Sequence, residues 1–142
     1  MPKLLVPIDG SESSTRALDH AMKIAKTNPS YELHLLTVHP EPIMYGEILV
    51  YVSSEKMHEL QRAHSMDLLR PAIEAAEKAR IAHTSEIAQG EVASTIAKRA
   101  HELHCEGIVM GTRGMTAISN LVIGSVATKV IHLTTIPVTL VK

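Results

Sequence analysis

Five short strand-like runs, four largely apolar and one alternating (His83–Ala88), separated by stretches of helical spacing, constrain this chain more than any other feature. The runs are Leu4–Ile8, Leu33–Val38, His83–Ala88, Gly107–Met110 and Val138–Val141. A continuous apolar run of this length suits a strand buried on both faces. Between the first two, Ser11 and Ser13 offer N-caps, and Leu18, Ala21, Met22 and Ala25 follow at helical spacing until Asn28-Pro29. A longer helical pattern covers Ser54 to about Arg80, with Pro71 inside it, which predicts a kink or restart. Val92, Ile96, Ala100 and Leu103 mark a third helix, and Ser125 to about Leu133 a fourth. Strict alternation of this kind implies an α/β fold. The expected form is one Rossmann-like domain over residues 1–142, an open five-stranded, mostly parallel sheet with helices on both faces. Its expected strand order is 3-2-1-4-5. Residues 40–53, with Pro40, Pro42, Gly46 and two tyrosines, read as a surface excursion.

Composition narrows the function. The chain has 142 residues and is 45% hydrophobic, yet contains neither Trp nor Phe, so its core is built from Leu, Ile, Val, Ala and Met. Fourteen basic against 15 acidic residues give a net charge of -1. That balance lacks the basic footprint nucleic-acid binding requires, and the scarcity of aromatics removes base-stacking platforms. Cys105 is the only cysteine, which excludes an intrachain disulfide. The N-terminus shows no signal-peptide pattern, and nothing approaches the roughly 20 apolar residues of a spanning helix. These features lead to the expectation of a cytoplasmic protein with no membrane span.

In open parallel sheets ligands sit beyond the carboxyl ends of the strands, where strand order reverses. The segment of interest there is Gly111-Thr112-Arg113-Gly114, then nine residues, then Gly124-Ser125-Val126. It follows one expected strand and opens one expected helix. Gly111 and Gly114 can place the backbone against a ligand and aim N–H groups into an anion nest. Gly124 and Ser125 sit where a helix begins, with unsatisfied N–H donors and the positive end of its dipole. Together they form a candidate phosphate cradle. The alternative is an ordinary turn at Gly111 and Gly114, with Ser125 as a simple cap.

These segments resemble the universal stress protein family over nearly the whole chain. Leu5-Val6-Pro7-Ile8-Asp9-Gly10-Ser11 is similar to its first strand and turn, and Ile108–Gly114 to its fourth. Gly111, Gly114, Gly124 and Ser125 match its nucleotide pattern, and Ile136-Pro137-Val138 resembles its ending. The resemblance implies ATP, with Pro7, Ile8, Asp9, Val38 and Met110 around the nucleoside. It places Arg113, Gly124, Ser125 and Val126 near the phosphates. Asp9 could contact adenine or ribose or help hold a cation, or could simply cap the Asp-Gly turn. Met115 to Ile123 carries no charge, which departs from many relatives. Only Arg113, with Lys129 one turn into the helix, remains to offset a triphosphate, so Mg²⁺ or Mn²⁺ is expected alongside ATP.

The resulting expectation is a nucleotide-dependent stress-response or signalling module read by an unidentified protein partner. A slow ATPase or self-phosphorylating protein, with Thr112, Thr116 or Ser119 as acceptor, is the enzymatic alternative. A structural dimer that does not use nucleotide is the third. No catalytic base is evident, and neither a Walker motif, a Gly-x-Gly-x-x-Gly fingerprint nor a Gly-x-Ser-x-Gly elbow occurs. His101, His104 and Cys105 share a helix end, but no second ligand group accompanies them. The apolar last strand, a pairing edge, leads to the expectation of a homodimer through it, as the resemblance also implies.

Overall fold

Strands and helices alternate in the computed structural model, which describes residues 1–40, 54–112 and 123–142. Strand β1 (Lys3–Pro7) leads to helix α1 (Glu12–Thr27) and strand β2 (Glu32–His39). Helix α2 (Ser54–Lys78), strand β3 (His83–Gln89) and helix α3 (Val92–Glu102) follow. Strand β4 (Gly107–Gly111), helix α4 (Ser125–Leu133) and strand β5 (Val138–Val141) complete the order. The strands form one five-stranded sheet in the order β3-β2-β1-β4-β5, and every pairing is parallel. The expected order is the observed one, and "mostly parallel" becomes wholly parallel among the described residues.

The pleat explains why the central runs had to be continuously apolar. Successive side chains point to opposite faces. Leu4, Val6, Ile8, Leu33, Leu35 and Val109 pack with α1 and α2 on one face. Leu5, Leu36, Ile108 and Met110 pack with α3 and α4 on the other. Alanines make this close approach of helix to sheet feasible: Ala17, Ala21 and Ala25 in α1, Ala93 and Ala100 in α3, Ala127 in α4, all buried. Cys105 lies in the second of these cores, where burial pushes its thiol up.

One expectation needs correction, the restart at Pro71. Pro71 neither breaks nor restarts its helix, which runs uninterrupted from Ser54 to Lys78. Pro71 is exposed, so the carbonyl it cannot serve lies on the solvent side and can bond water. The second strand also buries a polar side chain within its run. His34 is only 5% exposed, its Nδ1 lies 2.7 Å from Thr84 Oγ1, and its Nε2 lies 3.0 Å from Glu86 Oε1. Arg99 of α3 donates through Nε to the same carboxylate oxygen at 2.9 Å and through Nη1 to Glu102 at 2.6 Å. A polar chain thus ties β2 to the edge strand β3 and to α3, satisfying groups that burial would otherwise penalise. Burial pushes the Glu86 carboxyl up, but the bonds from Arg99 and His34 outweigh it and hold the group below the ordinary range.

Among the described residues no helix is long and apolar enough to cross a membrane.

Candidate functional site

The reversal in strand order falls between β1 and β4, which lie side by side with Leu4 opposite Gly107 and Leu5 opposite Ile108. The chain leaves β1 toward α1 on one face and leaves β4 toward α4 on the other. The cleft at the carboxyl edge is therefore flanked by the starts of these two helices.

Those starts differ in chemistry. At α1, Ser11 is the N-cap: its hydroxyl accepts from the Ser14 N–H at 3.1 Å, and the Ser14 hydroxyl donates to the Ser11 carbonyl at 3.0 Å. Thr15 also donates to that carbonyl. The opening turn of α1 is thus occupied by its own side chains. At α3, Glu91 is the N-cap and accepts from the Ser94 N–H at 2.7 Å. At α4 the cap is Gly124, with no side chain to offer and no side-chain cap hydrogen bond. Of the three helices whose caps are described, α4 alone begins without one. Its first-turn N–H groups, on Ser125, Val126 and Ala127, have no partner among the described residues. The Gly124 N–H itself is spent: it donates to the Thr112 carbonyl. That bond joins the end of β4 to the start of α4 and brings the two flanks of residues 113–122 together.

Gly111 does not act through a left-handed backbone, whereas Gly124 stands at the start of a helix as expected. Neither has a positive φ; among the described glycines only Gly10 (φ 82) and Gly90 (φ 146) do. Gly111 is the last residue of a regular strand. A Cβ there would lie 2.7 Å from the carbonyl carbon of Ser13 and 2.8 Å from its Cβ. Glycine is required because the first turn of α1 presses against the strand. The left-handed turn belongs to Gly10, in the Asp9-Gly10 pair, where a Cβ would meet Leu68 of α2 at 2.6 Å.

The residues expected around the nucleoside gather at this edge, with unequal access. Ile8 and Met110 are 6% and 4% exposed, on opposite core faces, so what they can present to a ligand is chiefly backbone. Pro7 and Val38 are half-buried at the ends of β1 and β2. Ile8 donates its N–H to the Leu36 carbonyl at 2.8 Å, and its own carbonyl accepts from the Thr37 hydroxyl at 2.9 Å. The floor of the cleft is thereby fixed. Asp9 is exposed, and its Oδ1 accepts from the Ser11 N–H at 2.9 Å. It caps the turn, while Oδ2 has no partner among the described residues. Ser125 is exposed and Val126 half-buried. Arg113 and Gly114 lie outside the described residues, as do Thr116, Ser119 and most of the segment 40–53.

The structure adds Glu91, which sequence reasoning did not single out, and a setting for Thr112, named there as a possible phosphate acceptor. Thr112 is 4% exposed, and its Oγ1 is buried with no hydrogen-bond partner among the described residues. Its N–H is held by the Val141 carbonyl at 2.9 Å, so the backbone is anchored while the hydroxyl is not. Glu91 also accepts from Lys129 Nζ at 2.9 Å. Lys129, expected to serve phosphate, is therefore engaged by a carboxylate of α3. No local pattern announces this pair, because its members are 38 residues apart.

This arrangement gives the protein an acid limb. The bonds from Ser94 and Lys129 hold the Glu91 carboxyl down to about 2, against an ordinary 4.5. Glu86 is also lowered. Below 4.5 the unfolded chain binds more protons at these positions than the folded one, so stability rises with pH there. The Glu91 contribution should be present above about pH 4.5 and fall away progressively toward pH 2, with Glu86 adding in the same direction. Urea unfolding as a function of pH checks this, and Glu91→Gln should flatten the acid limb.

Comparison with known proteins agrees with this architecture. The model of the family described as "Universal stress protein family" matches residues 1–142. The chain is 34% identical over 146 residues to "Universal stress protein YxiE" of Bacillus subtilis (strain 168), covering 99% of this chain and 98% of that protein. Among solved structures, the hypothetical protein MJ0577 superposes with a TM-score of 0.86 at 27% identity, over 99% of this chain and 95% of that one. A family protein from Arabidopsis thaliana solved with AMP bound gives a TM-score of 0.70 at 18% identity, covering 100% and 92%. A universal stress protein in complex with cAMP gives 0.69 at 24%, covering 99% and 95%. With a family match over its whole length and a full-length relative above 30% identity, this chain belongs to the universal stress protein family.

Proposed function

We propose that the cleft between β1 and β4 binds ATP, with Mg²⁺ or Mn²⁺, and that the protein works as a nucleotide-dependent stress-response module. The observation that carries this reading is the uncapped start of α4 beside the reversal in strand order. Three N–H donors and the positive end of the helix dipole suit phosphate oxygens. Gly111, Gly114, Gly124, Ser125, Val126 and Arg113 are the proposed phosphate-side residues; Pro7, Ile8, Asp9, Val38 and Met110 are the proposed nucleoside side.

The residues present fit both ligands. The second Asp9 oxygen suits a ribose hydroxyl or a cation, and the unsatisfied Thr112 hydroxyl suits a phosphate oxygen or a water bound to the metal. A divalent ion would supply positive charge beyond what Lys129, shared with Glu91, can offer. The AMP and cAMP complexes of two proteins sharing this fold support adenine nucleotides as the ligand class. The nucleotide state is proposed to be read by a protein partner, and the protein is separately proposed to pair as a homodimer through the edge strand β5.

Isothermal titration of the purified protein with ATP, with and without Mg²⁺, tests the reading. Saturable binding at micromolar to low millimolar ATP, tightened by the metal, is the expected result. Absence of binding at several millimolar with metal present would overturn it.

A further inference from the structure

The ion pair between Glu91 and Lys129 sits where it can compete with a ligand, and the case is geometric. Lys129 is four residues after Ser125, so the two side chains share one face of α4. Helical side chains lean toward the N-terminus of their own helix, which carries the Lys129 stem over the first turn. Its ammonium is nevertheless held by Glu91 Oε1 at 2.9 Å. The other carboxylate oxygen, Oε2, accepts from the Ser94 N–H at 2.7 Å. One carboxylate therefore caps α3 and reaches across to α4. Both partners remain about half exposed, at 56% for Lys129 and 48% for Glu91. An exposed pair of this kind is weak and exchanges readily with another anion.

We infer that Glu91 is a specificity-determining residue of the phosphate end: it competes with the terminal phosphate of a bound nucleotide for Lys129, and so weakens binding in proportion to phosphate number. The inference rests on the nucleotide reading above and goes beyond it by assigning discrimination among mono-, di- and triphosphate to one ion pair. Glu91 is ionised throughout the neutral range, its carboxyl being held at about 2, so the competition is permanent rather than pH-gated. A longer phosphate chain reaches further along the first turn of α4 and meets both Lys129 and the carboxylate beside it. AMP, with its single phosphate, meets them least. Binding of the triphosphate then releases Lys129 from α3, leaving the Ser94 cap as the remaining hold on Glu91.

Titration of wild type, Glu91→Gln, Lys129→Gln and the double variant with AMP, ADP and ATP tests this at low ionic strength, where such charges are least screened. Glu91→Ser joins the set because serine keeps an N-cap acceptor without the charge. Both neutral variants should tighten ATP by about two- to fivefold, ADP by less and AMP hardly at all. Lys129→Gln should cost more ATP affinity in the Glu91→Gln background than in wild type, because there the lysine serves the phosphate alone. Equal shifts for AMP and ATP, or equal Lys129→Gln effects in the two backgrounds, would reduce the pair to a tie between helices and overturn the inference. Wild type that binds none of the three would remove the nucleotide reading and the inference with it.

Discussion

Gly111→Ala should lower stability by about 3 kcal/mol or more and the Tm by about 10 °C, although the substitution adds one methyl group to a regular strand. The reason is what that methyl would meet. Its nearest neighbours belong to Ser13 in the first turn of α1, and one of them, 2.7 Å away, is a backbone carbonyl carbon. A side-chain tip can rotate aside; a helix backbone held at its N-cap by Ser11 and Ser14 cannot. Relief therefore requires α1 to move off the sheet, and α1 packs on β1, β4 and β5. Gly107, on the same strand, is the control. A Cβ there would meet Leu4 Cδ2 at 3.1 Å and the Pro137 carbonyl only at 3.7 Å. Gly107→Ala should cost about 1 kcal/mol, since the first of these neighbours is the flexible end of a side chain. Thermal unfolding of the two variants side by side checks the prediction, and equal Tm values would refute it. A loss of nucleotide binding in Gly111→Ala would then reflect a displaced helix before it reflected a lost phosphate contact.

Gly111 also illustrates what the sequence made legible. Position mattered, and the glycine closing the Gly107–Met110 run was readable as a place of close backbone approach, there assigned to a ligand. The cause was not readable, because Ser13 is distant in sequence and approaches only when the sheet and α1 are assembled. The central strands followed from double-sided burial, which forces runs such as Leu4–Ile8 to be apolar, while their order came with the Rossmann-like fold class and not from the runs themselves. Edge strand β3 was harder, since its side chains are half-buried or exposed and its pattern approaches a loop's. His34 within an apolar run signalled nothing locally; its partners Thr84, Glu86 and Arg99 come from β3 and α3. Pro71 carried a local expectation of a restart, and its exposed position lets the helix run on. At the candidate site the start of α4 was legible from Gly124-Ser125, a local signature. The engagement of Lys129 by Glu91 was not, being a contact between separate helices.

Ser125→Asp should leave the fold intact and weaken ATP binding by about 100-fold. The two halves of this expectation come from one electrostatic fact acting in opposite directions. A carboxylate in the first turn of a helix is favoured by the dipole and by unsatisfied N–H groups, so α4 should be as stable as before or slightly more so. That carboxylate would occupy the donors proposed for phosphate and set a negative charge against a polyanion. Juxtaposed like charges cost several kcal/mol, and 100-fold corresponds to about 2.7 kcal/mol. Ser125 is exposed, so neither size nor burial confounds the change. Ser125→Ala removes only the hydroxyl and keeps the backbone donors, and its effect should stay below about tenfold. The ordering wild type, then Ala, then Asp in affinity, with Tm unchanged or rising in the Asp variant, separates a phosphate cradle from a helix that merely begins at glycine. If Ser125→Asp bound ATP as wild type does, the donors of α4 would not face the ligand. The nucleotide, wherever it lay, would then owe nothing to the one uncapped helix start that the described caps reveal.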